Sequence, residues 1–242
     1  MNRIFFLIVI LLSNSAFGQD KVAGKNRRFF IGVNFSPDYC YRSLSKNIDS
    51  ISNSKWNYAK NIEDSVEIPK LGYTAGINFG YQIKSWLSIE TGLQYSDKGY
   101  KTIPVTTVYD FSHDPEIATN VIHFTYIDIP IKANFIFLKN KLQIFTSVGI
   151  CANILLQAKV KTFPETPTSI FQVQTNIIHD SYNKFNISPS VAIGLQYNVI
   201  DRLFIRIEPL FKYGLLNIEN KSLYKATRVW NAGLNINFSV RL

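Results

Sequence analysis

Three histidines, His113, His123 and His179, are the residues of this 242-residue chain best suited to acid–base or metal chemistry. A neutral imidazole can accept a proton near neutral pH or ligate a metal. His113 precedes Asp114 and His179 precedes Asp180, so each has a carboxylate neighbour able to orient its ring. A hydrolase also needs a nucleophile or water held within reach of that base. No paired Ser/His or Asp/His motif completes such a set, and the spacing predicts no metal site and no cofactor. The expectation is therefore a protein that is not an enzyme. A hydrolase acting on lipid or peptide at a barrel rim is the competing reading.

A second set of residues carries charge where little is expected. Glu90, Asp128 and Glu208 are acidic, and Lys132, Arg206, Lys212 and Arg241 are basic. Each falls on the polar side of an otherwise apolar, alternating segment. An isolated charge in a packed interior is costly, so pairing among the seven is expected. Such a network either gates an ion or proton path or plugs the interior. Eight strands leave an interior that side chains just fill, which favours the plug over a narrow pore.

The elements that position these groups come from a period of two, the signature of strands with one apolar and one polar face. Residues 230–242 place Trp230, Ala232, Leu234, Ile236, Phe238, Val240 and Leu242 on one side. Asn231, Gly233, Asn235, Asn237, Ser239 and Arg241 lie on the other. Seven more segments repeat this alternation, giving strands at 29–40, 71–83, 86–96, 123–138, 141–157, 186–199, 202–215 and 229–242. Connections alternate between tight (84–85, 139–140, 200–201) and long (near 40–70, 97–122, 158–184 and 216–228). Pro130, Pro189 and Pro209 fall inside strands, where they cannot donate a ladder hydrogen bond, so each predicts a bulge or bend.

The polar faces decide which side looks outward. A soluble barrel would be dense in Lys and Glu outside. Here the polar faces are mostly Gly, Ser, Asn and Gln, small groups suited to a crowded lumen, while the apolar faces are nearly free of charge, as lipid requires. Tyr73, Tyr81, Trp86, Tyr95, Tyr197, Phe204, Tyr213 and Trp230 gather near strand ends as interfacial girdles. The expected fold is all-β: an eight-stranded antiparallel up-and-down transmembrane barrel with short periplasmic turns and long extracellular loops.

Export agrees with this. Arg3, the apolar run 4–12 and a small-residue stretch with Ala16 and Gly18 read as a signal peptide over residues 1–18. The barrel domain is then 19–242. The formal charge of +9 is concentrated at Lys21, Lys25, Arg27 and Arg28 and at the tight turns, at Lys84, Lys139, Lys141 and Arg202. No basic stripe is interleaved with aromatics, so no nucleic acid is expected as a partner. Cys40 and Cys151 fall on opposite sides of such a barrel, beyond the reach of a disulfide, and two free thiols are expected.

Residues 124–135, within which Tyr126, Asp128 and Pro130 stand at alternate positions, carry a family likeness. The stretch resembles the Tyr-hydrophobic-Glu/Asp-Ile-Pro motif of PorT-like outer-membrane β-barrel proteins. The glycines of the second strand (Gly72, Gly76, Gly80) and residues 92–95 fit the same family. The resemblance covers the mature chain. It implies the outer membrane of a Gram-negative bacterium, both termini in the periplasm, and an accessory role in protein secretion. Lipid and lipopolysaccharide are the expected surroundings, with a protein partner at the outer loops or at the basic periplasmic rim. On this reading the mature protein stays with the membrane through carbonate washing and needs detergent for extraction. Recovery in the soluble fraction would invert the orientation of every strand.

Overall fold

A computed structural model of the chain describes residues 28–46, 52–107, 116–137, 141–165, 173–220 and 225–242. The expected signal segment, His113 and Lys139 lie outside the described residues. Ten strands form one antiparallel sheet among the described residues. They are β1 (Phe29–Lys46), β2 (Glu67–Lys84), β3 (Leu87–Thr102), β4 (Val105–Thr107), β5 (Glu116–Ile136), β6 (Leu142–Pro164), β7 (Gln174–Ile177), β8 (Phe185–Asn198), β9 (Leu203–Tyr213) and β10 (Lys225–Arg241). β1 pairs with both β2 and β10, and β5 pairs with β6, so eight staves close a ring in the order β1-β2-β3-β5-β6-β8-β9-β10. β4 and β7 are short ribbons on the outer ends of β5 and β6. Closure leaves the hydrocarbon belt without an open strand edge, the condition for a sheet to cross a bilayer.

The side-chain alternation follows the expected direction through the belt. Val33, Phe35, Ile77, Phe79, Leu93, Ile131, Val148, Ile193 and Phe238 face outward and are exposed. Asn34, Asn78, Asn134, Asn153, Gln196, Asn235 and Asn237 face inward and are buried. Cys40 and Cys151 are free, buried, and on β1 and β6, four strands apart in either direction round the ring. The wall needs small residues where a lumen ring crosses it. A Cβ on Gly80 would land on the Phe30 ring, and one on Gly233 would meet the Asp38 carboxylate and the Ser36 hydroxyl.

Four expectations are corrected. The staves run further at the long-loop end than hydrophobic contrast indicates: β1 ends at Lys46, β3 at Thr102 and β6 at Pro164, while β5 begins at Glu116. Within the expected first long loop lies a helix, α1 (Asn53–Val66), whose N-terminal amide at Lys55 donates to the Ser52 hydroxyl. The prolines mark no bulge. Pro130, Pro189 and Pro209 each sit in unbroken register with a neighbouring strand. The shifts fall elsewhere, at Pro69/Tyr73 and Gln82/Lys84 in β2 and at Thr125/Tyr126 between β5 and β6. Phe204 is not a girdle residue, since it is 1% exposed and points into the lumen.

The inward and outward roles change places above the belt. On β3, β5 and β6 the inner face becomes Tyr100, Ile122, Phe124 and Ala158, and the outer face becomes Asp97, Lys101, His123 and Lys159. The headgroup layer and then water replace hydrocarbon outside the barrel from that height upward, so the apolar face turns inward as in a soluble protein. Replacing Gly80 with Val is expected to destabilise the barrel by about 1–3 kcal/mol by forcing a side chain against Phe30. Urea unfolding from phospholipid vesicles, followed by tryptophan fluorescence, measures it.

Candidate functional site

The lumen is built in layers from the tight-turn end upward. Phe30, Phe145 and Phe204 close the bottom, each at most 3% exposed. Phe30 and Phe204 meet edge-on with centroids 5.4 Å apart. Their rings surround the Arg206 guanidinium, which lies 5.2, 5.1 and 4.9 Å from the Phe30, Phe145 and Phe204 centroids. A guanidinium is weakly hydrated and stacks on aromatic faces, so it suits a floor that excludes water.

Directly above is the first charge cluster. Arg206 Nη1 lies 2.7 Å from Glu90 Oε2. Lys132 bridges Glu90 at 3.1 Å and Glu208 at 3.0 Å. Two carboxylates meet two cations, so the cluster is neutral. Amides and a hydroxyl fill the remaining acceptor positions. Asn134 donates to Glu90 at 3.3 Å, Asn235 to Glu208 at 2.8 Å, Ser147 to Glu208 at 3.3 Å, and Gln196 accepts from Arg206 at 2.8 Å. Satisfaction of this kind makes buried ions tolerable.

The second cluster centres on Asp128. Lys98 Nζ lies 3.0 Å from its Oδ2 and Lys212 Nζ 3.7 Å away. Asn153 donates to its Oδ1 at 2.6 Å. Asp38, on β1, accepts from Ser36 and Thr74, each at 2.6 Å. The family-motif residues Tyr126, Asp128 and Pro130 all face inward here, at alternate positions of β5. The Lys98 ammonium sits 5.2 Å from the Tyr126 ring centroid, so motif tyrosine and motif aspartate share one cation.

An apolar layer caps the lumen. Tyr100, Ile122, Phe124, Tyr126, Leu155, Ala158 and Val229 from the staves pack with Ile218 and Tyr182 from the segments before and after β8 and β9. Phe124 and Tyr182 meet edge-on at 4.9 Å. Burial, with Glu219 and Glu67 nearby, pushes the Tyr182 phenol up to about 12. Above it, α1 is fastened by ion pairs. Arg42 of β1 meets Asp64 of α1 and Glu67, the first residue of β2, at 2.5 Å each, and Lys225 of β10 meets Glu63 of α1 at 3.1 Å.

Six of the seven sequence-derived charges therefore fall into two clusters. Arg241 does not join them. It lies at the tight-turn rim, donating to Asp201 O and Asn198 Oδ1 at 2.9 Å and stacking 4.6 Å from the Phe204 centroid. Lys98 and Asp38 were missed because they lie past or at the edge of the visible alternation. Counting by two from Gln94 and Ser96, or from Asn34 and Ser36, reaches both. Other rim cations rest on girdle rings: Lys84 lies 5.6 Å from the Trp86 centroid and Lys141 lies 5.3 Å from that of Tyr197.

The histidines do not build a reactive centre among the described residues. His123 stands on β5, its Nδ1 3.0 Å from Asp97 and 3.0 Å from Lys70 Nζ. Lys70 also meets Asp97 at 2.7 Å. No hydroxyl or thiol of a described residue hydrogen-bonds His123. His179 lies in the turn His179–Ser181 with its Nδ1 unpaired. No grouping of three His, Cys, Asp or Glu able to hold a metal occurs among the described residues.

Glu90 neutralises two cations and Glu208 shares one. Glu90→Gln is thus expected to cost about 3–5 kcal/mol, because Arg206 loses its ion pair inside an aromatic floor. Glu208→Gln should cost clearly less, since Lys132 keeps Glu90. Parallel urea titrations in vesicles test the order; equal losses would contradict the geometry.

Residues 17–220 match the profile of the outer membrane protein beta-barrel domain family. Among solved structures, Neisserial surface protein A is similar at 12% identity and a TM-score of 0.45, over 88% of this chain and 97% of that one. OprG from Pseudomonas aeruginosa is similar at 8% identity and a TM-score of 0.44, over 92% and 100%. The attachment invasion locus protein of Yersinia pestis is similar at 11% and 0.35, over 88% and 100%. No curated protein sequence matches. The closed ring, the outward apolar belt and the match over most of its length agree: the chain belongs to the outer membrane protein beta-barrel domain family and resides in the outer membrane of a Gram-negative bacterium.

Proposed function

We propose that the protein is a non-enzymatic, non-conducting scaffold of the outer membrane that presents its outer end to a protein partner. The observation that carries this reading is the layered lumen: an aromatic floor, two hydrogen-bonded charge clusters and an apolar cap, with Phe204, Glu90, Asp128 and Phe124 each at most 2% exposed. A lumen so filled offers no continuous water path. What the molecule displays instead is its outer end, where the staves stand clear of the belt and α1 is fastened to β1 and β10 at the rim. α1 buries none of its residues fully. It shows Tyr58, 71% exposed, and Ile62 one turn later. Aromatic and aliphatic groups held on a rigid element are suited to anchor a partner. The likeness of residues 126–130 to PorT-like proteins supports an accessory role in secretion as the process served.

The competing hydrolase reading draws on the Asp97–His123 pair. Lys70 shares Asp97, and no nucleophile of a described residue reaches the imidazole, so the pair supports an ion-pair role instead. His123→Ala with His179→Ala is expected to leave outer-membrane lipid composition unchanged; an altered profile would favour the enzyme.

Two measurements test the scaffold. Planar-bilayer recording at neutral pH should show no sustained unitary conductance, and its appearance would overturn the plugged lumen. A photo-crosslinking residue at Tyr58, irradiated in intact cells, should give one discrete protein adduct that the same residue at outward Ile131 in the lipid belt does not give. Identical adduct patterns at the two sites would remove the proposed docking surface.

A further inference from the structure

Beyond the belt the ladder brings three lysines onto one patch of outer wall. Lys101 of β3 and Lys161 of β6 both pair with Val121 of β5, one from each side. Lys159 pairs with His123, one step nearer the belt. Strand spacing puts Lys101 and Lys161 about 10 Å apart and Lys159 about 7 Å from Lys161. No carboxylate of a described residue is within ion-pair distance of any of the three. Asp97, four residues before Lys101 on the same strand face, is held by Lys70 and His123. Like charges gathered this closely repel unless an anion joins them.

A bulge creates the patch. Through the belt, β6 sends odd-numbered residues inward, including Phe145, Ser147, Cys151, Asn153 and Leu155. Unbroken alternation would send Lys159 and Lys161 after them, into the apolar cap. The register shift at Thr125/Tyr126, where Thr125 faces Gln157 but Tyr126 faces Leu155, inserts one residue. Beyond it Ala158 and Thr162 point inward and the two lysines point out. Bulges re-aim side chains in this way.

The height of the patch identifies its ligand. The continuous apolar wall of β6 ends at Leu156, half-exposed, with Ile154 below it, and past the two lysines Phe163 is the next outward apolar residue of that strand. Lys159 and Lys161 follow three and five residues later, roughly 7–13 Å higher for a strand tilted by about 40°. That is the depth of the headgroup layer, and lysine stems reach back toward it. Cations directly above an apolar wall match an amphiphile that is anionic at its head and aliphatic below.

We propose that Lys101, Lys159 and Lys161 form a binding site for the phosphorylated headgroup of an outer-leaflet lipid, with the acyl chains lying along Ile154 and Leu156. The site is distinct from the lumen and from α1. The purified mature protein in neutral detergent is titrated with diphosphoryl lipid A, and binding is followed by native mass spectrometry and by the rise in unfolding temperature. Each surface cation contributes enough that Lys101→Gln, Lys159→Gln and Lys161→Gln together should weaken binding about a hundredfold. Retained heat-modifiable mobility verifies folding, and the corresponding triple Arg variant should keep the affinity. Substituting Lys84 and Lys141 at the opposite rim should change nothing. Dephosphorylated lipid A should bind as weakly to the natural protein as diphosphoryl lipid A binds to the Gln variant. The proposal is overturned if the folded Gln variant binds diphosphoryl lipid A undiminished, or if the dephosphorylated lipid binds equally well. Equal protection by inorganic phosphate, or by polyglutamate in place of lipid A, would reassign the patch to a free anion or to an acidic protein and overturn the lipid as well.

Discussion

Every backbone amide and carbonyl that enters hydrocarbon must find its partner within the protein, and this requirement governs the whole molecule. It is met by the β1–β10 and β5–β6 ladders, which join the ends of the sheet into a ring. Closure fixes the stave number, the stave number fixes the lumen width, and the width allows side chains to meet across it. Arg206 on β9 reaches Glu90 on β3 only because the lumen is this narrow. Polar groups kept from lipid by the wall are then kept from water by their own packing, so they must satisfy one another.

The second governing fact is that the solvent changes along each stave. Inside the belt the wall is apolar and the interior polar. Above it the order reverses, with Phe124 and Tyr100 inside and His123 and Lys101 outside. The barrel is in effect a membrane protein continued by a short soluble one on the same strands. The bulge after Leu155 and the positive φ of Gly99 fall close to this transition, where the strands must change which face they bury. A side chain on Gly99 would strike Ile122 O and crowd the Lys70 stem, which lies against this position on its way to Asp97.

This reversal explains what the sequence could reveal. The eight staves were legible through the belt because lipid outside and amides inside produce strong contrast at a period of two. The outer extensions were not, since contrast fades near the crossing and then returns with opposite sign, imitating a solvated loop. Glu90, Asp128, Lys132, Arg206, Glu208 and Lys212 stood out as charges in apolar surroundings, but which cation met which acid depended on contacts across the ring. Phe204 was misread because aromatic chemistry at a strand end suggests an interface. Its parity with Arg206 and Glu208 was the better guide. Arg241 shows the converse: its parity is inward, but it stands at the rim, where carbonyl groups and an aromatic face replace a carboxylate partner.

The register of the first charge cluster bears on how the chain can be put into a membrane. Glu90 and Lys132 are directly opposed on the neighbouring strands β3 and β5, while Arg206 and Glu208 sit two apart on β9. Each group is balanced in charge on its own strands, and across the lumen Arg206 meets Glu90 while Lys132, still beside Glu90, meets Glu208 as well. The hairpin and the later strand can thus approach the bilayer as electrically silent pieces.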